Sequence, residues 1–154
     1  LAVFEPDENK WEIKTQALNK RDHLAAASIN EKLYVAGGRV ESLTKNLALL
    51  EIYDPVLDVW TQATPMPLAR GGIGGTGLEG LFVVAGGEHP LGTFSDVDAF
   101  DPKAKKWVSF PRLPTARHGL GVAAFGSMLF AIGGGTHPGL SVSGVNEAMY
   151  LTGE

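Results

Sequence analysis

The sequence predicts an all-β chain in which one short, four-stranded antiparallel unit recurs about three times. Three observations carry that expectation. Glycine (20) and proline (9) make up roughly a fifth of the 154 residues, against an average near 12%, and they fall between short β-branched and aromatic runs. No segment sustains an apolar 3.6-residue pattern. Four markers share one period: Trp11, Trp60 and Trp107; the pairs Gly37-Gly38, Gly86-Gly87 and Gly133-Gly134; Arg21, Arg70 and Arg117; and the triplets Phe4-Glu5-Pro6, Tyr53-Asp54-Pro55 and Phe100-Asp101-Pro102. In each unit the aromatic precedes Trp by seven residues, Trp precedes Arg by ten, and Arg precedes the glycine pair by sixteen. A period near 50 with several short strands per unit is the signature of propeller blades.

The elements follow in order. Leu1–Thr15 supplies a third and a fourth strand. The first full unit has strands at His23–Ile29, Leu33–Ala36, Leu47–Tyr53 and Val59–Gln62. The second has them at about Gly71–Gly77, Leu81–Ala85 and Asp96–Phe100, with a fourth carrying Trp107. Asn146–Thr152 is the third strand of a last, Trp-less unit, which gives roughly thirteen strands. The approximate repeats are 1–18, 19–65, 66–112 and 113–154. Asp-Pro suits the turn after a third strand, because Pro presets φ and Asp bonds nearby backbone. The glycine pairs suit a tight bend or a close approach of another backbone. Small residues such as Ala25-Ala26-Ala27, Gly74-Gly75 and Gly121 fit the crowded centre of a radial array.

The order Arg, apolar strand, aliphatic strand ending in Gly-Gly, then Tyr-Asp-Pro, then Trp resembles the kelch repeat over essentially the whole chain. Leu81-Phe82-Val83-Val84-Ala85-Gly86-Gly87 and Tyr53-Asp54-Pro55 through Trp60 carry the resemblance best. Phe4-Glu5-Pro6 departs from it, as do Lys20-Arg21, without the Met-Pro that precedes Arg70, and the last unit, without Asp-Pro or Trp. The resemblance implies a ring of six blades, of which about three are present here. Either the chain is part of a longer propeller, as a start on Leu1 rather than Met suggests, or two copies close a ring, the Trp11 strand of one completing the last blade of the other. The second reading makes the chain a homodimer.

Composition excludes several classes. With no Cys, disulfide frameworks, thiolate zinc sites and Cys nucleophiles fall away, as does the Cys-linked Tyr of the copper oxidases with kelch repeats. A net charge of −4 offers no field for nucleic acid. Apolar runs are too short to span a bilayer as helices, so no membrane partner is expected. Gly72 through Gly77 matches G-x-G-x-x-G, but a strand follows where the dinucleotide motif needs a helix. His23, His89, His118 and His137 lack ligand spacing, so neither a metal nor another cofactor is expected. Ser95, His118 and Asp98 lack a nucleophile elbow. The repeated Trp, Tyr and Phe read as blade-to-blade packing.

The candidate site is a face. Antiparallel connectivity brings Arg21, Arg70 and Arg117, at the start of the innermost strands, to the same end as the segments after the glycine pairs. Three guanidinium forks there suit carboxylates, with Glu88, His89 and His137 beside them. An equal reading makes each Arg a strut to carbonyls of a neighbouring blade. Recurrence of one residue in every blade suits a non-catalytic scaffold for a protein or an acidic ligand, since catalysis needs an asymmetric set of groups. The resemblance also offers an alternative, a sialic-acid mutarotase-like carbohydrate epimerase using Arg70 and Arg117 with Glu88 or His137. A purely structural role within a larger protein is a third reading.

Overall fold

A computed structural model describes residues 1–151. It contains a two-stranded hairpin, β1 (Ala2–Glu5) and β2 (Lys10–Ile13), followed by two four-stranded blades and a three-stranded one. The first blade holds β3 (Ala25–Ile29), β4 (Lys32–Ala36), β5 (Leu50–Asp54) and β6 (Val59–Ala63). The second holds β7 (Gly74–Leu78) and β8 (Leu81–Ala85), a small hairpin β9 (Glu88–His89) and β10 (Gly92–Thr93), then β11 (Val97–Asp101) and β12 (Lys106–Phe110). The third holds β13 (Gly121–Phe125), β14 (Met128–Ile132) and β15 (Asn146–Tyr150). All pairings are antiparallel meanders, and the innermost strands β3, β7 and β13 pack side by side. The strands placed by sequence at His23, Leu47 and Gly71 start two or three residues later, because Asp22, Asn46, Gly71 and their neighbours form isolated bridges to other loops. Of the strand expected over Asn146–Thr152, Thr152 lies outside the described residues.

Burial reports the stacking. β8 and β11 are buried along nearly their whole length, without the alternation of a half-wet sheet, because blades cover both faces. β13 and β15 alternate between exposed and half-buried, so one face of the third blade is open. Ile29 is 5% exposed while Phe125, eight residues past its own Arg just as Ile29 is, is 80% exposed. One apolar layer (Ala36, Leu50, Ile73, Phe82, Val84, Phe100) joins the first two blades, and a second (Leu78, Val83, Val97, Leu120, Leu129) joins the second and third.

The seven-residue offset has a simple origin. Phe4 faces Trp11, Tyr53 faces Trp60 and Phe100 faces Trp107 across each hairpin, with ring centroids 5.4, 5.1 and 5.5 Å apart. Asp54 Oδ1 accepts the N–H groups of Val56 and Leu57, and Asp101 Oδ1 those of Lys103 and Ala104, so each Asp-Pro turn is closed by its own carboxylate. Trp60 and Trp107 then donate their indole N–H to Thr15 O and Thr64 O, the chain leaving the preceding unit. Gly37 explains the glycine pairs: its φ is +63°, and a Cβ there would lie 2.7 Å from Arg70 O of the next blade.

Ring closure by a second copy meets one obstacle. The hairpin brings two strands and the third blade has three among the described residues, one more than a blade holds. Completing that blade with β2 of another copy therefore displaces β1 or β15.

Candidate functional site

Arg21, Arg70 and Arg117 occupy equivalent positions, but not as open forks. Arg70 donates through Nη1 to Gly86 O (3.0 Å) and Asp96 O (2.8 Å), and through Nη2 to the Asp98 carboxylate. Arg117 donates to Gly133 O, Val145 O, Ala131 O and, at 2.7 Å, Glu147. Arg21 donates to Gly37 O, Val35 O, Asn19 O and, at 2.7 Å, Glu51. Arg70 and Arg117 are fully buried, and the Arg21 side chain nearly so. Burial pushes the Arg70 guanidinium down from its ordinary pKa, with Asp98 and Asp96 pulling the other way.

This corrects the expectation that the three forks ring an opening and receive a ligand carboxylate. Each blade already supplies that carboxylate. It also corrects the strut reading, since the carbonyls held belong to the same blade: each side chain pins the end of the second strand to the start of the third. At the glycine pairs the bonds between blades come from the backbone, Gly38 N–H to Arg70 O and Gly87 N–H to Arg117 O, both 2.9 Å. With Arg70 and Arg117 engaged, the epimerase alternative has no free guanidinium from that pair for a sugar carboxylate.

What lies on the shared rim is the residue after each Arg and the residue after each glycine pair, bridged as Asp22 to Arg39, Gly71 to Glu88 and His118 to Gly135. Backbone bonds continue around the rim, Gly72 N–H to His23 O and Gly119 N–H to Gly72 O. Glu88 is buried and joins three blades. Its Oε1 accepts Arg39 Nη1 at 2.8 Å and lies 3.4 Å from His118 Nδ1, its Oε2 accepts Gly139 N–H at 2.8 Å, and its backbone O accepts Asn46 Nδ2 at 2.7 Å. Arg39 Nη2 also donates to His23 Nε2 (2.8 Å), which leaves the other imidazole nitrogen to donate to Asp22 (2.9 Å).

The remaining candidates separate. His89, on β9, packs with a tilted ring against Phe94, the residue after β10, with centroids 4.8 Å apart. His137 is exposed, and its backbone O accepts His118 Nε2 and Ser141 Oγ. Thr93 Oγ1 donates to Thr136 O, tying that hairpin to the third blade's loop. Among the described residues no group of three or more His, Asp or Glu side chains converges to hold a metal ion.

The sequence reading placed the segment from Arg39 to Ser42 on this face but did not single out Asp22 and His23 there, nor the acids that saturate the arginines. Both had a signal. Glu51, Asp98 and Glu147 each stand two residues before Tyr53, Phe100 and Met149, and His23 stands where the other units have Gly72 and Gly119.

Four-stranded meanders stacked through apolar layers, with loops gathered on one rim, define the chain as a segment of a β-propeller. A family model described as Kelch motif matches residues 20–67. The chain is 33% identical over 81 residues to an F-box/kelch-repeat protein of Arabidopsis thaliana, covering 53% of this chain and 21% of that protein. It is 36% identical over 85 residues to Beta-scruin of Limulus polyphemus (55% and 9%). It is 32% identical over 91 residues to Kelch-like ECH-associated protein 1A of Danio rerio (58% and 15%). The chain carries a Kelch motif over residues 20–67 and is similar to these kelch-repeat proteins, of whose length it spans about a fifth or less.

Proposed function

We propose that this chain is a non-catalytic, protein-binding segment of a kelch propeller, presenting the rim around Asp22, His23, Arg39 and His118 to a partner. The observation that carries the reading is His23. Its φ is 54°, in the left-handed region where the other units have Gly72 (68°) and Gly119 (60°). A bulky residue kept at a glycine position costs conformational energy, and such strain gathers at functional sites. The imidazole is also half-exposed, yet fixed on both nitrogens. The ECH association in the name of the Danio rerio relative fits a protein partner here too.

The test uses peptides selected from a random library against the immobilised chain. His23→Gly combined with Asp22→Asn, both at exposed positions, is expected to weaken the best binders at least tenfold while the unfolding midpoint stays within a few degrees. Equal affinity in a folded double variant overturns the reading.

Self-association belongs to the same proposal. Trp11 (68% exposed) and Ile13 (78%) on the hairpin, and Phe125 (80%) and Tyr150 (60%) on the third blade, leave large apolar side chains in water on both end units, which a second copy would cover. Light scattering is expected to show species above the 16.3 kDa protomer; a cooperative monomer contradicts this.

A further inference from the structure

We propose that the third blade carries a seat for an indole ring, taken by Trp11 of a second copy whose β2 pairs along the free edge of β15. This rests on the self-association above and gives it a site. A cleft of about 150 Å³ lies between the chain leaving β12 (Pro111, Leu113) and the cross-strand pair Leu129 and Met149. In the two preceding blades a tryptophan fills the equivalent place. Trp107 packs on Phe82 and Phe100, with centroids 6.4 and 5.5 Å away, and donates to Thr64 O at 2.8 Å. Trp60 clusters with Tyr53, with Ala17 and Leu33 against them, and donates to Thr15 O at 2.9 Å. Phe82 with Phe100, and Leu33 with Tyr53, are the cross-strand pairs in register with Leu129 and Met149. Pro111 stands six residues before Arg117, as Thr64 does before Arg70 and Thr15 before Arg21, and so brings the matching carbonyl. An apolar cavity of about 150 Å³ is enough to admit a benzene ring.

Three observations choose the occupant. β15 lies at the edge of a three-stranded sheet, where the other blades have β6 and β12 as a fourth strand. Trp11 sits on a strand of that fourth kind, 68% exposed where Trp60 is 9%. The third observation is charge. Glu147 on β15 neutralises the buried Arg117, whereas β1 has Ala2 in that register, two residues before Phe4 as Glu147 is two before Met149. A blade that exchanged β15 for β1 would leave the buried guanidinium without its carboxylate. β15 therefore stays and β1 is released, at little cost, since no residue of β1 is buried. β2 keeps its place beside its own first blade, where Thr15 N–H donates to Asp58 and Thr15 O accepts Trp60. The new ladder sets Trp11 against Met149, Glu12 against Ala148 and Ile13 against Glu147, in the register that β2 now has with β1. One four-residue ladder replaces another, so the gain is the burial of Trp11. The pairing forms at high protein concentration, and the dilute chain stays a protomer.

The test is sedimentation equilibrium of the full chain over a wide concentration range. The chain is expected to dimerise, Trp11→Ala to weaken the dimer at least tenfold, and Val3→Pro, which takes a ladder donor from β1, to tighten it. Thermal midpoints identify any variant that is not folded. The described residues hold no Cys, so Glu12→Cys with Ala148→Cys gives a second reading: mild oxidation is expected to yield a dimer whose linked peptides join positions 12 and 148. A dimer unchanged by Trp11→Ala, weakened by Val3→Pro, or without the 12–148 link overturns this site and leaves self-association through another surface. A protomer at every concentration overturns both.

Discussion

Replacing Arg70 with methionine keeps most of the side-chain volume and removes the charge and the donors. The site it leaves is severe. Asp98 is 3% exposed, and its Oδ2 loses Arg70 while Oδ1 keeps only the Ser109 hydroxyl at 2.6 Å. The carbonyls of Gly86 and Asp96 lose a charged donor at the same time. Removing one partner of a buried ion pair costs about 3–5 kcal/mol, a large part of a domain stability of about 5–15 kcal/mol. With a urea slope of about 2 kcal/mol/M, the midpoint followed by tryptophan fluorescence should fall by about 1.5–2.5 M. Most of that loss is the stranded carboxylate, so adding Asp98→Asn to Arg70→Met should recover about 1 kcal/mol or more. Arg117→Met should cost less, because Glu147 keeps 15% of its side-chain surface in water and can rehydrate. A shift below about 0.5 M for Arg70→Met, on the same slope, or no recovery with Asp98→Asn, refutes the reading of Arg70 as a pin within its own blade.

The tryptophans should separate by burial. Trp60→Ala removes a side chain 9% exposed and a bond to Thr15 O and should cost about 3–5 kcal/mol, whereas Trp11→Ala, in a position 68% exposed, should stay within about 0.5–1 kcal/mol, both read by urea melts. Gly37→Ala meets Arg70 O at 2.7 Å besides a φ of +63°, while Gly80→Ala has a φ of +80° and nothing within 4 Å; differential scanning calorimetry should show the first melting clearly below the second. The Tyr53 hydroxyl, donating to Asp58, is pushed up to about 12, and the Asp58 carboxyl is held below its ordinary value chiefly by that bond. A raised tyrosine pKa stabilises fully below the unfolded value, about 10, and is lost as pH rises towards about 12. The depressed aspartate stabilises above its unfolded value of about 3.9 and is lost on acidification below it. Tyr53→Phe should therefore flatten the stability profile at both ends, and an unchanged alkaline limb would show that another group sets it.

The blade pattern was legible because it is written locally and three times. A seven-residue aromatic-to-Trp offset is one cross-strand pair, as Phe4 with Trp11 and Phe100 with Trp107 show, and a glycine pair is one close backbone approach. The site was less legible for a physical reason. A repeated arginine looks the same in sequence whether its fork is empty or filled, and the filling acid lies 28–30 residues away. Glu51, Asp98 and Glu147 do repeat, but they read as ordinary strand residues until β5, β11 and β15 are paired beside the arginines. Glu88 shows the limit further. Its partners Arg39, Asn46, His118 and Gly139 come from the two neighbouring blades, and no spacing in one unit announces them. His23 was readable only as a departure from the period.

The account turns on where a protein partner meets this chain, and hydrogen exchange with a selected rim-binding peptide measures that directly. Backbone amides of residues 22–24, 39–46 and 118–119 should exchange more slowly in the complex, while the outer turns 55–58 and 102–105 should not change. Protection confined to those outer turns, with the rim exchanging as in the free chain, contradicts the proposed binding face.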